Sequence, residues 1–211
     1  MDVTESISQI IQKTGIFIYP LLLCSIFGLA VFIQKIWQLR TSNTIPGEFL
    51  DLLYNFLDHG EIKEASLLCL ENNSSISRIA AAAIDARTSD NELFHDKVEQ
   101  AGQNEAIDLA RYIEGLGSVS TVSTLLGLLG TIAGMIKIFS VISSDDVINP
   151  PALAGGISEA LYTTAIGLFI AIPAFISYKY ISGKYEELVS MLEQESKKIT
   201  ELIKRNTARF N

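Results

Sequence analysis

The sequence predicts an all-α integral membrane protein with three transmembrane helices and long helical extensions outside the bilayer. Three apolar windows lead to this prediction, at residues 15–33, 115–136 and 160–178, and each is free of Asp, Glu, Lys and Arg. Helices of this length rise about 1.5 Å per residue and can cross a hydrocarbon core about 30 Å thick. Three such windows in a chain of 211 residues favour membrane insertion over burial in a soluble core.

The first apolar window has the features of a retained span instead of a secretory signal peptide. Asp2 and Glu5 stand where a signal peptide carries basic residues, and no small-residue cleavage site follows. The window ends in a segment that holds Lys35, Trp37 and Arg40, a combination typical of a membrane–water boundary. We therefore expect the first window to remain in the membrane.

The basic residues near the span ends predict the orientation of the chain. Five of them fall on one side of the membrane: Lys35, Arg40, Arg111, Lys179 and Lys184. The other side has Lys13, together with Asp145 and Asp146 in the turn before the third span. Because Lys and Arg are enriched on the cytoplasmic side, the N-terminus is predicted outside and the C-terminus in the cytoplasm.

Helical patterns also fill the parts of the chain outside the bilayer. Pro46 opens one amphipathic helix and Gly60 ends it, and shorter helices are predicted at 61–70 and 76–84. We expect a polar helix from Ser89 to run without a break into the second span, and the third span to continue into a polar helix. The predicted segments are an outer N-terminus at 1–14, spans at 15–38, 115–142 and 155–181, a cytoplasmic helical loop at 39–114, a short outer turn at 143–154 and a cytoplasmic C-terminal helix at 182–211.

Composition argues against several classes of function. The chain has a net charge of −8, which argues against the basic patch that nucleic-acid binding needs. Cys24 and Cys69 are poor candidates for a disulfide bond. Neither the cysteines nor His59 and His95 show the spacing of metal ligands. With no nucleophile–base pair and no phosphate loop in the sequence, we predict neither an enzyme nor a cofactor.

The second span carries a face of small and hydroxyl-bearing residues. Seven of them fall within about 120° of a helical wheel: Ser120, Ser123, Thr124, Gly127, Gly130, Thr131 and Gly134. Small residues allow helices to pack closely in lipid, so the glycines suit either helix packing or a pore wall. The stacked hydroxyls favour a polar cavity on this face.

The third span contains an ionisable residue, Glu159, about two turns inside the expected helix start at a flexible Gly155-Gly156 pair. A carboxylate near hydrocarbon normally faces protein or water, so Glu159 is either functional or simply paired with Lys137. Two adjoining faces of small residues are predicted, one with Gly155, Gly156, Glu159, Thr163 and Ser177, the other with Ala160, Thr164, Gly167 and Ala171. Pro173 removes a backbone donor and predicts a kink.

Two sequence motifs carry a resemblance to a known family. Residues 126–134, LGLLGTIAG, and residues 155–174, GGISEALYTTAIGLFIAIPA, resemble the second-span and third-span motifs of the ExbB/TolQ/MotA proton-channel family. The match extends more loosely to the first span and the helical loop. Three spans favour the ExbB/TolQ branch, because the flagellar members usually have four.

The resemblance implies a proton-driven motor subunit in the bacterial inner membrane, with its N-terminus in the periplasm. Spans two and three of five copies would line a homo-oligomeric ring around the single spans of two ExbD- or TolR-like partners, each with an essential aspartate. Thr131 and Thr164 would line the pore opposite that aspartate, and Glu159 would be the family's third-span glutamate at the outer end. A TonB- or TolA-like protein would receive the mechanical work, in outer-membrane transport or envelope integrity.

Two departures and two alternatives accompany this expectation. Ala133 replaces a frequent aromatic residue and Lys137 replaces a neutral polar one, which puts the shape of the outer pore in question. Threonine hydroxyls also suit a sodium-driven version of the same motor. A non-conducting membrane scaffold would use the glycine faces for assembly alone.

Overall fold

The computed structural model describes residues 15–144 and 150–210, and within these ranges the chain folds into helices without strands. A 3₁₀ turn at Gly15–Phe17 leads into the first long helix. The α-helices are α1 at Ile18–Gln38, α2 at Thr41–Thr44, α3 at Gly47–His59, α4 at Ile62–Glu71, α5 at Ser75–Ala86, α6 at Asn91–Ala110, α7 at Ile113–Ser144 and α8 at Pro150–Phe210. Lys13, Asp145 and Asp146, which entered the orientation argument, lie outside the described residues.

Three of these helices are long and apolar enough to cross a membrane, as the sequence predicts. They are α1, the apolar part of α7 and the N-terminal part of α8. Large apolar side chains on their surfaces are exposed, among them Leu23, Ile136 and Phe169. An apolar exterior of this kind is costly in water and suits contact with lipid.

The chain divides into two compact units. The first contains the described residues up to Ile33 and residues Tyr112–Tyr180, and therefore the apolar helices. The second contains Gln34–Arg111 and the C-terminal part of α8 from Ile181.

The second unit is a helical bundle with an ordinary hydrophobic core. Its fully buried side chains include Leu53, Leu57, Ile76, Ile79, Ile84, Leu188, Ile199 and Ile203. The Arg78 guanidinium donates two hydrogen bonds of 2.5 Å to the Glu105 carboxylate, which ties α5 to α6. Tyr54 donates a hydrogen bond to Glu195, and Asn206 donates one to the Leu57 carbonyl, so α8 is joined to α3.

Local sequence signals explain where the bundle helices begin and end. Gly60 adopts a left-handed conformation with φ of 77° and caps α3, which confirms the predicted end of that helix. Ser74 caps the start of α5, because its hydroxyl oxygen accepts a hydrogen bond from the Ser77 amide at 3.3 Å.

The prediction of one continuous helix from Ser89 into the second span is wrong. The helix α6 ends at Ala110 and α7 begins at Ile113. Tyr112 has a φ of 67°, a left-handed conformation that no α-helix can contain. The Leu109 carbonyl, which lies in the last turn of α6, accepts a hydrogen bond of 3.0 Å from the Lys35 ammonium.

The expected start of the third span also needs correction. The helix α8 begins at Pro150, so residues 150–154 are helical where the sequence predicted a turn, and the predicted flexible Gly155-Gly156 pair lies within the helix. Proline suits this position because the first helical turn has no use for its missing N–H. As predicted, α8 then continues without interruption into the C-terminal tail, through 61 residues.

Candidate functional site

The site predicted from the sequence lies on α7 and α8, which pack side by side in the first unit. Gly117 of α7 contacts the Tyr178 ring, Gly127 contacts Thr164 and Gly134 contacts Ala160. Because ascending positions on α7 meet descending positions on α8, the two helices are antiparallel. This arrangement brings both family-like motifs against each other along their length.

Glycines allow the two backbones to approach closely. A Cβ atom added to Gly167 would lie 2.7 Å from the Ser123 carbonyl oxygen and 2.9 Å from the Gly127 Cα. One added to Gly130 would lie 2.6 Å from the Thr163 Cβ, and one added to Gly134 would lie 2.7 Å from the Ala160 Cβ. Distances below 3.0 Å leave no room for a side chain, so these glycines serve the packing of α7 on α8.

The hydroxyl groups of the predicted face divide between the helix interface and its edge. Ser120 donates to the Ala171 carbonyl at 2.9 Å, and Thr164 donates to the Gly127 carbonyl at 2.8 Å, so both bonds join the two helices. Thr124 and Thr131 donate to carbonyls of their own helix, at 3.0 Å and 2.6 Å. Since neither of these two is buried, their hydroxyls remain near the surface of the helix pair.

Ser123 and Thr163 are the most deeply buried polar residues of this interface. Thr163 is 1% exposed and donates to the Glu159 carbonyl at 2.9 Å. Ser123 is fully buried, and its Oγ is the one buried side-chain polar atom without a hydrogen-bond partner in the described part of the chain. A buried hydroxyl without a hydrogen-bond partner costs free energy, so Ser123 destabilises the packing of α7 on α8.

Thr131 and Thr164 lie within about one helical turn of each other along the helix pair, since Thr164 packs on Gly127, four residues before Thr131. Their sequence neighbours Gly130 and Thr163 are in direct contact, which places each threonine one residue from that contact. Both threonines are half-buried. They therefore border the packed interface and present part of their surface to whatever lies beside it.

Glu159 forms an ion pair with Lys137. The Lys137 Nζ lies 2.8 Å from the Glu159 Oε2. The Glu159 side chain is 31% exposed and the Lys137 side chain is 64% exposed. The structure thus joins the carboxylate to the base that the sequence offered as its partner.

On α8 the two predicted faces merge into one packed stripe. The buried residues are Gly156, Ala160, Thr163, Gly167, Ala171 and Ala174. Gly155 is outside it, since an added Cβ would meet no atom within 4 Å. Pro173 lies within the continuous helix and borders a cavity of about 210 Å³, shared with Cys24 and Ser177.

The helical wheels did not identify Tyr178 as part of this interface. Its ring carbons lie 3.2 Å from the position of a Cβ on Gly117. A bulky ring opposite a glycine is a recognisable packing pair. The sequence alone does not show that Tyr178 faces Gly117, because this depends on the antiparallel register of α7 and α8.

A comparison with known families decides what this helix pair belongs to. Residues 71–194 match the model of the MotA/TolQ/ExbB proton channel family, a segment that contains all of α7 and most of α8. The chain is a member of the MotA/TolQ/ExbB family. The resemblance seen in the two span motifs is therefore confirmed.

Individual relatives of this family member cover most of its length. The biopolymer transport protein exbB1 of Vibrio cholerae is 28% identical over 193 residues, which are 90% of this chain and 85% of the relative. The putative biopolymer transport protein ExbB-like 3 of Synechocystis is 32% identical, over 88% of this chain and 89% of its own length. The Tol-Pal system protein TolQ of Haemophilus influenzae is 37% identical over 95 residues, 45% of this chain and 40% of the relative.

The chemistry that this MotA/TolQ/ExbB helix pair offers is hydrogen bonding and charge. Hydroxyl groups, backbone carbonyls and one ion pair lie among apolar side chains. Such groups can hold or pass a proton or a small cation when another polar group approaches them.

Proposed function

We propose that this chain is the multi-span subunit of a proton-driven motor that works with a single-span, ExbD- or TolR-like partner. The observation that carries the proposal is the placement of Thr131 and Thr164 within about one helical turn of each other on the α7–α8 pair, each half-buried. A single partner helix that packs beside this pair would then be able to contact both threonines. Membership of a proton channel family supports the same function.

The two threonines suit an exchange with a carboxyl group on the partner helix. In an apolar surrounding, an ionised carboxylate is strongly stabilised by hydroxyl donors. Both hydroxyls now donate to backbone carbonyls, Thr164 to Gly127 and Thr131 to Leu128, and rotation about χ1 redirects them. When the carboxyl group takes up a proton it loses its preference for this site, which lets the two helices move relative to each other.

The assembly that fits this mechanism is a ring of five copies, whose inner wall comes from α7 and α8 and which encloses two partner spans. The spans correspond to residues 15–38, 115–142 and 155–181, in the bacterial inner membrane. The N-terminus and the connection between the second and third spans face the periplasm, and the loop at 39–114 and the tail at 182–211 face the cytoplasm. The exposed apolar surfaces of α1, α7 and α8 support the placement of these helices in a membrane.

The mechanical output of the motor is transport across the outer membrane or maintenance of the envelope. The relatives include proteins named for biopolymer transport and a protein of the Tol-Pal system. The recipient of the work is then a TonB-like or a TolA-like protein, respectively.

The test compares three threonine substitutions in the complete complex, reconstituted with its partner chain in liposomes. Thr131→Ala and Thr164→Ala should each slow proton uptake under an imposed pH gradient, by about tenfold if one charge-assisted hydrogen bond is lost. Thr121→Ala is the matched control, because Thr121 is exposed and donates to a carbonyl of its own helix at 3.4 Å. This control should leave proton uptake unchanged.

Two outcomes would replace the proposal. Uptake that follows the sodium gradient and ignores the pH gradient identifies a sodium-driven motor. Full activity of both threonine variants in an intact complex identifies a scaffold, for which the hydroxyls have no conducting role.

A further inference from the structure

Two charged side chains stand alone in the apolar part of the α7–α8 pair. Among the described residues from 115 to 178, Lys137 and Glu159 are the only Lys, Arg, Asp or Glu. They come from different helices, and their Nζ and Oε2 atoms are 2.8 Å apart. A hydrogen-bonded pair of opposite charges has no net charge, so each residue lowers the electrostatic cost of the other.

The backbone packing around the pair fixes its position. Gly134, one turn before Lys137, packs on Ala160, the residue after Glu159, at 2.7 Å from the Cβ position. Ile138, the residue after Lys137, packs on Gly156, and its Cγ1 atom lies 2.6 Å from the position of a Cβ on Gly156. These two contacts lie on either side of the ion pair along the helices. Close packing of the helices therefore fixes the backbone positions of Lys137 and Glu159 so that the ammonium can reach the carboxylate.

The pair has a direct consequence for cations. A carboxylate in a largely apolar wall is an attractive ligand for a hard cation such as sodium, because carboxylate oxygens are the ligands that such ions prefer. Here the Lys137 ammonium already occupies the cation position at Glu159. An arriving sodium ion would have to displace a tethered positive charge.

We propose that Lys137 determines ion specificity at the outer end of the α7–α8 pair, because its ammonium group occupies the Glu159 carboxylate and prevents metal cations from binding there. This inference rests on the proposed function for its biological meaning, since it concerns which ion the motor accepts. It assigns Lys137 a specificity role and leaves proton carriage to the carboxyl group of the partner chain.

Removal of either charge should produce opposite results. Lys137→Gln leaves an unpaired negative charge in each copy, which concentrates cations and opens the carboxylate to sodium. Glu159→Gln leaves an unpaired positive charge, which repels cations. The double variant Lys137→Gln/Glu159→Gln is neutral at this position and should bind no sodium there.

The first measurement is equilibrium binding of sodium-22 to the full complex in nanodiscs. Wild-type protein and Lys137→Arg, which keeps the charge, should show no binding that depends on Glu159. Lys137→Gln should bind sodium with an affinity at least about tenfold above the weakest that the measurement detects, and the double variant should lose that binding. Lys179→Gln is the matched control, because it removes a lysine at the far end of the α8 span, and it should behave as wild type. Equal sodium binding by wild type and Lys137→Gln overturns the proposal.

The second measurement detects the pair without reference to motor activity. A membrane-permeant carbodiimide activates a carboxyl group and lets an amine in contact with it form an amide; the elements of one water molecule leave the pair and convert the carbodiimide to a urea. Mass spectrometry of the wild-type complex should find an amide between Lys137 and Glu159, and its absence overturns the proposal. If the amide and the sodium results are obtained but proton uptake fails to respond to Thr131→Ala and Thr164→Ala, the proposed motor function falls while the specificity role of Lys137 stands.

Discussion

Replacement of Gly167 by alanine tests the packing of α7 on α8 most directly. The new methyl group would lie 2.7 Å from the Ser123 carbonyl oxygen and 2.9 Å from the Gly127 Cα. Both neighbours are backbone atoms, so no change of rotamer relieves the overlap. The two helices must move apart, which also stretches the 2.8 Å hydrogen bond from Thr164 to the Gly127 carbonyl.

The size of the effect follows from two opposing contributions. Overpacking in a closely packed interface costs about 1–3 kcal/mol. Alanine in place of glycine within a helix returns about 1 kcal/mol. Gly155→Ala on the same helix has the second contribution alone, because no atom lies within 4 Å of its Cβ position. The difference between the two variants therefore isolates the overlap and is about 1–3 kcal/mol.

The assay is thermal unfolding of both purified variants in the same detergent. For a chain of about this size, each kcal/mol lowers the midpoint by about 2–4 °C, so Gly167→Ala should melt roughly 2–12 °C below Gly155→Ala. Gly127→Ala should fall between them, since its nearest neighbour, the Thr164 Cα, lies at 3.2 Å. Equal melting temperatures for Gly167→Ala and Gly155→Ala would refute the close packing described above.

Three further predictions concern the helical bundle. Ser74→Ala removes the cap of α5 and should lower the free energy of unfolding by about 1 kcal/mol, measured by urea titration. Burial, and then the hydrogen bond to Glu195, raise the pKa of Tyr54 above its ordinary value. The stabilisation by Tyr54 is therefore complete below about pH 10 and is lost as pH rises through the folded-state pKa. In urea titrations, the difference in free energy of unfolding between wild type and Tyr54→Phe should shrink at alkaline pH. Burial raises the pKa of the Cys69 thiol to about 11, so in a Cys24→Ser background maleimide should label Cys69 at pH 8 only after unfolding, and rapid labelling of the folded protein would contradict this.

The sequence predicts the long apolar helices well because their signal is local. Length and apolarity are properties of the residues themselves, and three helices able to span a membrane are present. The end of α3 at Gly60 is equally local, since a left-handed cap needs glycine. The candidate face on α7 also follows from a simple wheel, because its glycines all lie on one side.

The remaining features depend on contacts that a single helix does not contain. The break at Tyr112 has no sequence signal, because tyrosine rarely adopts a positive φ. The merged stripe on α8 requires the register against α7, which pairs Gly167 with Ser123 and not with another residue of that face. Likewise, the wheel places Ser123 beside its neighbours but does not show that its hydroxyl is left without a partner.

The pKa of Glu195 in the helical bundle depends on one contact that is local in sequence and on one that is not. Burial alone would raise the pKa of Glu195, but hydrogen bonds from Lys198 and Tyr54 hold it below its ordinary value. Lys198 is three residues away and predictable from helical spacing, whereas Tyr54 lies on α3, far away in sequence. Only the local half of this interaction was available to sequence reasoning.

The unbroken course of α8 constrains how the chain tolerates insertions and deletions. Its buried residues from Gly156 to Ala174 recur every three or four positions, so they lie on one side of the helix. One residue inserted between Thr163 and Gly167 would turn the helix beyond it by about 100°, so the buried positions on one side of the insertion would lose their contact with α7. Seven inserted residues, close to two full turns, would nearly restore the phase.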